Sequence, residues 1–271
     1  MSRLNDWLAQ IQKQGYKGAN ANARLCQDIV LEAIAKGKLR RNVTIKGGVV
    51  MRSLTGDVRR ATQDMDIDFI RYSLADDSIQ KFIQELNIFD DIHIEITGAI
   101  EPLKHQDYHG KCVNIRIYDD EGFSINSKID FGVHKDLAIH QEEYCFDVCM
   151  DEDGASLLMN SREQMMTEKL RSLLKFGPAS TRYKDIFDLC YLIDHVQADA
   201  LDVCMRHYIF DDPGMREQNY QDVSRRLERT FNNRLYQRRV RTTRNNWLGI
   251  RETEAFKKIR SFFQYLGSTT K

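Results

Sequence analysis

Three aspartates alternate with apolar residues in the segment Asp64-Met-Asp-Ile-Asp68. Side chains two residues apart on a β-strand point to the same face, so a strand here would place three carboxylates together. Like charges repel at this spacing unless a cation lies among them. Magnesium fits such a place because it takes oxygen ligands, and proteins hold it with a few carboxylates and substrate phosphates. The alternative is a solvated strand edge without a ligand.

Two further features favour a metal site. Gly47-Gly48 lies between a short β-prone run at 42–45 and a predicted helix at 49–54, and glycine lets backbone N–H groups approach a phosphate at a helix N-terminus. Ser127-Lys-Ile-Asp-Phe131 is a later predicted strand with one carboxylate between core residues. If this strand neighbours the first, Asp130 joins Asp64 and Asp66. Two metal ions about 4 Å apart would then activate a ribose hydroxyl and neutralise a departing pyrophosphate.

Hydrophobic periodicity divides the chain into two parts. The first part combines a predicted helix over 22–37 with period-two strands, and the second, from about residue 156, has only helical spacing. We predict strands at 42–45, 64–70, 92–96, 113–117, 123–131 and 144–148. The pattern predicts an α+β protein, with one domain at 1–155 and a helical domain at 156–271 that carries a basic face.

Charge is spread unevenly along a chain whose formal net charge is zero. Residues 216–260 hold 13 Lys or Arg against five Asp or Glu, and 225–244 holds eight arginines and one glutamate. Phe231, Tyr236 and Trp247 are interleaved with these arginines, as in a groove that binds an RNA backbone and stacks bases. An amphipathic helix with a basic polar face is an equally good interpretation.

The remaining composition points to the cytoplasm. No apolar run approaches the roughly 18 residues of a membrane span, and the N-terminus has no signal-peptide core, so we expect no membrane association. The six cysteines include no CxxC pair, which predicts reduced, buried thiols. His105 and His109 stand in a polar stretch and are interpreted as surface residues.

Four segments in this order resemble the AbiEii/AbiGii toxin family of nucleotidyltransferases, within the DNA polymerase β-like superfamily. They are Ile45-Lys-Gly-Gly48, Arg60-Ala-Thr-Gln-Asp-Met-Asp66, Glu168-Lys-Leu-Arg-Ser-Leu-Leu174 and Arg182-Tyr-Lys-Asp-Ile-Phe-Asp-Leu189. The first two match the family's Lys-Gly-Gly and its Arg-x-Thr-x-Asp-hydrophobic-Asp strand. The resemblance covers about 45–190 and implies a nucleotidyltransferase-fold mixed β-sheet with flanking helices, followed by a helical C-terminal domain.

The resemblance also implies roles for particular residues. The metal ligands, for Mg²⁺ or Mn²⁺, would be Asp64, Asp66 and Asp130. Lys169 would contact the nucleotide triphosphate, and Asp185 or Asp188 would complete the site from the helical half. The implied catalytic residues are Asp64, Asp66, Asp130, Lys169 and Asp188, and the implied nucleotide-binding residues are Lys46, Gly47, Gly48, Arg52, Lys169 and Asp185.

Several of these assignments have alternatives. Asp68 allows the metal pair to be 64/66 or 66/68, and we choose 64/66 because Thr62 then matches the family's threonine. Lys169 on an apolar helix stripe needs an anionic partner, unless its ammonium group reaches solvent at the edge of the stripe. Asp188 would otherwise be structural and pair with Arg182 or Lys184.

The function implied by the resemblance is a toxin-like, metal-dependent transfer of NMP from an NTP to RNA. Family members act in toxin–antitoxin or phage-defence systems and some modify tRNA, so we expect a tRNA acceptor end as substrate and a cognate antitoxin encoded nearby. The alternatives are a small-molecule or protein hydroxyl as acceptor, or a catalytically silent nucleotide-binding module.

Overall fold

The computed structural model describes residues 2–103, 110–134 and 139–269. His105 and His109 lie outside these ranges. The chain forms two compact units, Met1–Asn160 and Ser161–Lys271, which we call unit 1 and unit 2. Unit 1 holds a β-sheet with helices and unit 2 is helical, so the predicted α+β class is confirmed. Within the described part of the chain, no helix is long and apolar enough to span a membrane.

As far as the structure describes it, unit 1 is built on an eight-stranded mixed sheet. Its elements are α1 (Arg3–Lys13), α2 (Ala19–Lys36), β1 (Val43–Lys46), α3 (Gly47–Thr55), β2 (Met65–Phe69), α4 (Asp76–Glu85), β3 (Ile92–Ile96), β4 (Glu101–Pro102), β5 (Lys111–Asp119), β6 (Ser124–Val133), β7 (Gln141–Val148) and β8 (Asp151–Asn160). The strand order is β3-β5-β6-β2-β1-β8-β7, and β4 pairs with β5. The pairs β1/β8 and β2/β6 are parallel, whereas the others are antiparallel.

The core of unit 1 follows from the period-two pattern. Ile45, Ile67 and Phe131 are in register on β1, β2 and β6 and are fully buried. Alternate residues on these strands, including the aspartates, therefore share the opposite face. Phe131 also packs against Phe69 and Phe82, with ring centroids 5.1 and 5.5 Å away. This apolar layer fixes the register of the strands that carry the carboxylates.

Two elements of unit 1 were not predicted from the sequence. Helix α1 precedes the first predicted helix, and β8 continues to Asn160, past the predicted boundary at 155. The run Asp151-Glu-Asp-Gly154 hides this strand because acidic residues and glycine are poor β-formers. The expectation of buried thiols is wrong for Cys145, which is exposed on β7 because its neighbours Tyr144 and Phe146 face the other way.

Unit 2 consists of helices joined by short turns. They are α5 (Arg162–Phe176), α6 (Lys184–Leu192), α7 (Ala198–Met205), α8 (Tyr220–Phe231), α9 (Arg234–Thr242) and α10 (Glu252–Thr269). Ser161 caps α5 by accepting a hydrogen bond from the N–H of Gln164. A 3₁₀ turn at Gly177–Ala179, which contains a proline, separates α5 from α6.

Candidate active site

Four side chains form a row across neighbouring strands of unit 1. Lys46 on β1 is directly opposite Asp66 on β2, Asp66 is opposite Asp130 on β6, and Asp130 is opposite Cys112 on β5. Opposed residues share one face of the sheet, and adjacent strands are about 4.8 Å apart. The strand pairing on which the predicted carboxylate group depends is therefore confirmed for Asp66 and Asp130.

Asp64 is less closely held than the other two predicted carboxylates. It precedes β2, and its side chain is 65% exposed, against 13% for Asp130. Lys128 lies between them, with its Nζ 3.6 Å from Asp64 Oδ1 and 3.4 Å from Asp130 Oδ2. Desolvation works to lower the pKa of Lys128, but the two carboxylates outweigh it and the net shift is upward. Lys128 is thus a cation held at the open end of the row.

Asp68 is engaged in a buried ion pair. Its Oδ1 lies 2.6 Å from Nζ of Lys46, and both side chains are nearly inaccessible to solvent. Gly132 lies opposite Asp68 on β6, and a Cβ at this position would collide with the Asp68 carboxylate and lie 3.3 Å from Lys46 Nζ. Because Lys46 already neutralises Asp68, this geometry favours Asp64 and Asp66 over Asp66 and Asp68 as the metal pair.

The two glycines allow a helix to begin against the carboxylate row. Helix α3 begins at Gly47 itself, two residues earlier than predicted. Gly47 has φ +64°, and a Cβ there would collide with the carboxylate of Asp66, whereas a Cβ at Gly48 would collide with the hydroxyl of Thr62. Both positions therefore need glycine for close approach, and the N-terminus of α3 is placed beside Asp66.

Asp130 provides the test of whether this row fits a divalent cation. Its Oδ1 is buried and, among residues 2–103, 110–134 and 139–269, finds no hydrogen-bond partner, and an unsatisfied buried carboxylate oxygen is costly unless a ligand fills the gap. Burial and the neighbouring Asp130 raise the pKa of the Cys112 thiol to about 11. The two carboxylates of the row supply oxygen donors, the kind that Mg²⁺ and Mn²⁺ prefer.

The described residues contain no group of three His, Cys, Asp or Glu side chains arranged to hold a metal. The exposure of Asp64 and the position of Lys128 explain why the three predicted ligands do not converge. Two carboxylates together with substrate phosphates are a usual way of binding magnesium. The residues present therefore fit a cation held by Asp66 and Asp130 with Asp64 at the periphery.

Arg52 lies away from the row, contrary to its predicted contact with the nucleotide. Its side chain is 1% exposed, and Nη1 is 3.6 Å from Oδ1 of the fully buried Asp28 on α2. Arg24 makes a shorter pair with Asp28, at 2.8 Å. Burial lowers the pKa of Arg52 and raises that of Asp28. Arg52 is oriented towards α2 by helix packing, which the sequence pattern does not reveal.

A second group of charges lies inside unit 2. Lys169 Nζ on α5 is 3.0 Å from Asp185 Oδ1 and 2.8 Å from Asp188 Oδ2 on α6. Asp188 is fully buried and also accepts a hydrogen bond from the indole N–H of Trp247, at 2.9 Å. Arg182 donates to Asp185 at 2.7 Å. We call Lys169, Asp185, Asp188 and Trp247 the unit 2 charge cluster.

This cluster decides between alternatives that the sequence left open. Lys169 has two anionic partners and does not reach solvent at the edge of its stripe. The sequence assigned Asp188 a possible structural pairing with Arg182 or Lys184. Asp188 contacts Lys169 and Trp247, and Arg182 pairs with Asp185. Lys169, Asp185 and Asp188 therefore lie together inside unit 2, and their role in catalysis stays a prediction.

With both groups of charges located, the comparison with known families is informative. A family model described as nucleotidyl transferase AbiEii toxin, type IV TA system, matches residues 29–260, which is most of the chain. The chain belongs to the AbiEii family. The predicted resemblance is confirmed, and the protein is a nucleotidyltransferase of a toxin family.

The AbiEii chain is also similar to a solved structure. A solved structure of an antigenic nucleotidyltransferase-like protein from Paracoccidioides brasiliensis is similar over 66% of this chain and 85% of that one, at 17% identity and a TM-score of 0.41. No curated protein sequence matches the chain.

The aromatic residues of the arginine-rich stretch do not form a stacking surface. Phe231, Tyr236 and Trp247 are at most 4% exposed, and Phe231 stacks on Phe256 of α10 with ring centroids 4.3 Å apart. The prediction of aromatic platforms at these positions is wrong. Helices α8 and α9 are amphipathic and pack their apolar side inward, so the alternative interpretation is correct for these aromatics.

Sequence reasoning missed three residues of the two charged groups. Cys112 on β5 lies opposite Asp130, and Lys128 lies two residues before Asp130 on β6, so both share a face of the sheet with Asp130. Period-two spacing along β6 could have identified Lys128. Trp247 is 59 residues from Asp188 in the chain. No local pattern indicates this contact, because it depends on how the helices of unit 2 pack.

Proposed function

We propose that this AbiEii-family protein is a metal-dependent nucleotidyltransferase that transfers an NMP group from an NTP to RNA, with the acceptor end of tRNA as its substrate. The observation that carries the proposal is the side-by-side placement of Asp66 and Asp130. Within the part of the chain that the structure describes, the buried Oδ1 of Asp130 accepts no hydrogen bond. The residues fit Mg²⁺ or Mn²⁺, which would polarise the acceptor hydroxyl and offset the charge of the triphosphate when bound.

The chain's own groups account for the binding of an anionic substrate. The α3 N-terminus begins at Gly47 beside Asp66, and helix N-termini favour phosphate oxygens. Lys128 Nζ, held by Asp64 and Asp130, supplies a further cation. Lys46 is kept on the row by Asp68. These groups support triphosphate binding at the same face as the carboxylates.

The transfer itself follows from these positions. The acceptor hydroxyl oxygen attacks the α-phosphorus of the NTP, and the bond from that phosphorus to the bridging oxygen of pyrophosphate breaks. The hydroxyl proton passes to solvent or to a row carboxylate, and pyrophosphate leaves with the bonding electrons. Asp66 and Asp130 would orient the acceptor oxygen for in-line attack, which is where positioning lowers the barrier most.

The biological role is proposed from the family. The protein would act as the toxin of a toxin–antitoxin pair with a cognate antitoxin encoded nearby, in the cytoplasm and in phage defence. In that setting uncontrolled modification of tRNA would stop translation. The arginine excess of unit 2 supports an RNA substrate over a small molecule, because phosphate backbones are bound through such charge.

The proposal is tested by incubating the purified protein with total tRNA, Mg²⁺ or Mn²⁺, and each of the four α-³²P-labelled NTPs. We expect label on tRNA from at least one NTP. We expect none with Asp66→Asn, and full activity with Asp90→Asn, which makes the same charge change at an exposed position outside the row.

Two results would contradict the proposal. Labelling that persists in Asp66→Asn would show that the carboxylate row takes no part in the transfer reaction. Absence of label on RNA with every NTP and both metals would exclude an RNA acceptor. If NTP is then still bound, a small-molecule or protein hydroxyl becomes the acceptor to examine.

A further inference from the structure

A cavity of about 600 Å³ lies in unit 2, away from the unit 2 charge cluster. It is bordered by the end of α5, the segment before α8, and the first turns of α8. Its charged lining residues are Lys175, Arg216, Glu217, Asp222, Arg225, Arg226 and Arg229. Five cations against two carboxylates give this cavity, which we call the arginine pocket, a positive charge. Its volume is in the range of nucleotide-sized sites.

The cations of the arginine pocket are only partly neutralised by the protein. Arg225 pairs with Asp222. Within the described ranges, Arg216, Arg226 and Arg229 form no ion pair with a carboxylate. Arginines gathered without anions repel one another, and a bound phosphate relieves this through charge-assisted hydrogen bonds. The pocket is therefore complementary to a phosphate group.

Arg226 is held in place before any ligand arrives. Its Nε donates to the backbone carbonyl of Leu174 at 3.0 Å, near the end of α5. Gly177 faces this guanidinium with φ +51°, and a Cβ there would lie 2.7 Å from Nη2 of Arg226. The glycine thus permits the turn to pass close to the arginine. A fixed guanidinium loses less conformational entropy on binding than a freely moving one.

An exposed aromatic residue adjoins the pocket in sequence. Phe176 is 49% exposed, and it stands between Lys175, which lines the pocket, and Gly177, which faces the Arg226 guanidinium. Phe231 and Tyr236 are buried, whereas Phe176 is open to solvent and directly follows a pocket residue in the sequence. An exposed ring beside a phosphate site is the arrangement by which proteins bind single-stranded nucleic acid.

We propose that the arginine pocket binds a backbone phosphate of a single-stranded RNA segment and that Phe176 stacks on a neighbouring base. This rests on the proposed function, because it identifies how the RNA acceptor is recognised. A free nucleotide carries the same phosphate chemistry, and we favour RNA because several cations and a ring outside the phosphate cavity match a chain of nucleotides.

The test is RNA binding without NTP, measured by fluorescence anisotropy with a fluorescein-labelled single-stranded RNA dodecamer and with labelled tRNA. The pocket variant is Arg216→Gln/Arg229→Gln. The matched control is Arg238→Gln/Arg239→Gln, two exposed arginines on α9 outside the pocket. We expect the pocket variant to weaken binding about tenfold and to reduce the slope of log K against log salt by about two. The control should change affinity less than threefold.

The stacking half of the proposal has its own pair of variants. We expect Phe176→Ala to weaken dodecamer binding about tenfold with an unchanged salt slope. Tyr265→Ala, which removes an exposed ring elsewhere in unit 2, should leave binding unchanged.

Four outcomes would overturn the proposal. The first is that the two arginine double variants weaken RNA binding equally, and the second is that Phe176→Ala leaves binding unchanged. The third is that the unaltered protein binds no RNA. The fourth is that micromolar ATP displaces RNA from the unaltered protein but not from the pocket variant. The last would assign the pocket to a free nucleotide. The binding assay measures no NTP turnover, so its result does not depend on the transfer assay. RNA binding can be observed even if no nucleotide is transferred, and transfer can be observed even if the pocket does not bind RNA.

Discussion

The carboxylate row of unit 1 and the unit 2 charge cluster differ in how fully the protein itself pairs their charged groups. In unit 2, Lys169 lies within 3.0 Å of two carboxylates, and Asp188 has a second partner in Trp247. In unit 1, Asp130 shares the half-exposed Lys128 with Asp64, and no described residue donates a hydrogen bond to its buried Oδ1. The first group is internally satisfied, whereas the second is complete only when something from solution binds. Stability should therefore depend on the first and binding on the second.

The largest effect on stability is expected from Asp188→Ala. This change leaves Lys169 with one of its two carboxylates and the Trp247 indole N–H without its acceptor, in a buried place. We expect a loss of about 3–5 kcal/mol in the free energy of unfolding, measured by urea denaturation. Asp194→Ala is the control, because it breaks a solvent-exposed pair with Lys258 and should cost less than about 1 kcal/mol. Equal losses would show that the cluster is not specially stabilising.

A smaller effect separates Asp130, which belongs to the row, from Asp68, which pairs with Lys46 of the row. Asp68→Asn removes the charge that neutralises buried Lys46, and we expect a loss of about 2–3 kcal/mol. Asp130→Asn removes a charge from beside Asp66 and should change stability by less than about 1 kcal/mol in metal-free buffer. Urea denaturation of both variants with EDTA makes the comparison. A larger loss for Asp130→Asn would mean that its carboxylate is structural.

The smallest effect concerns the two glycines with left-handed backbones at the ends of α3. Gly47 has φ +64° and Gly56 has φ +61°, but only at Gly47 would a Cβ meet another group, the Asp66 carboxylate. We expect Gly56→Ala to cost about 1 kcal/mol from backbone strain alone and Gly47→Ala to cost about 2 kcal/mol. Thermal denaturation gives both values. Only Gly47→Ala should also reduce nucleotide transfer, and an equal loss of transfer in both would contradict the proposed position of Asp66.

Much of unit 1 could be predicted because its signals are local. Alternation of polar and apolar residues at 64–70 and 123–131 predicts two strands. In the structure these strands pair, and Asp66 and Asp130 lie on the same face of the sheet. Other features depend on packing between distant elements. Arg52 faces Asp28 because α3 packs in one orientation, and Trp247 meets Asp188 through the fold of unit 2. The sequence places Phe231 and Tyr236 among arginines, which suggested rings on a basic face. In the structure both rings are buried on the apolar side of their helices.

The measurement that tests the central claim most directly is Mn²⁺ binding, followed by electron paramagnetic resonance of the free ion as the protein is titrated in the presence of a non-hydrolysable NTP analogue. The account predicts one or two bound ions per chain, a loss of binding of at least tenfold in Asp66→Asn and Asp130→Asn, and unchanged binding in Asp90→Asn. Binding of Mn²⁺ that is unaffected by both row substitutions would contradict the assignment of these carboxylates as the metal site.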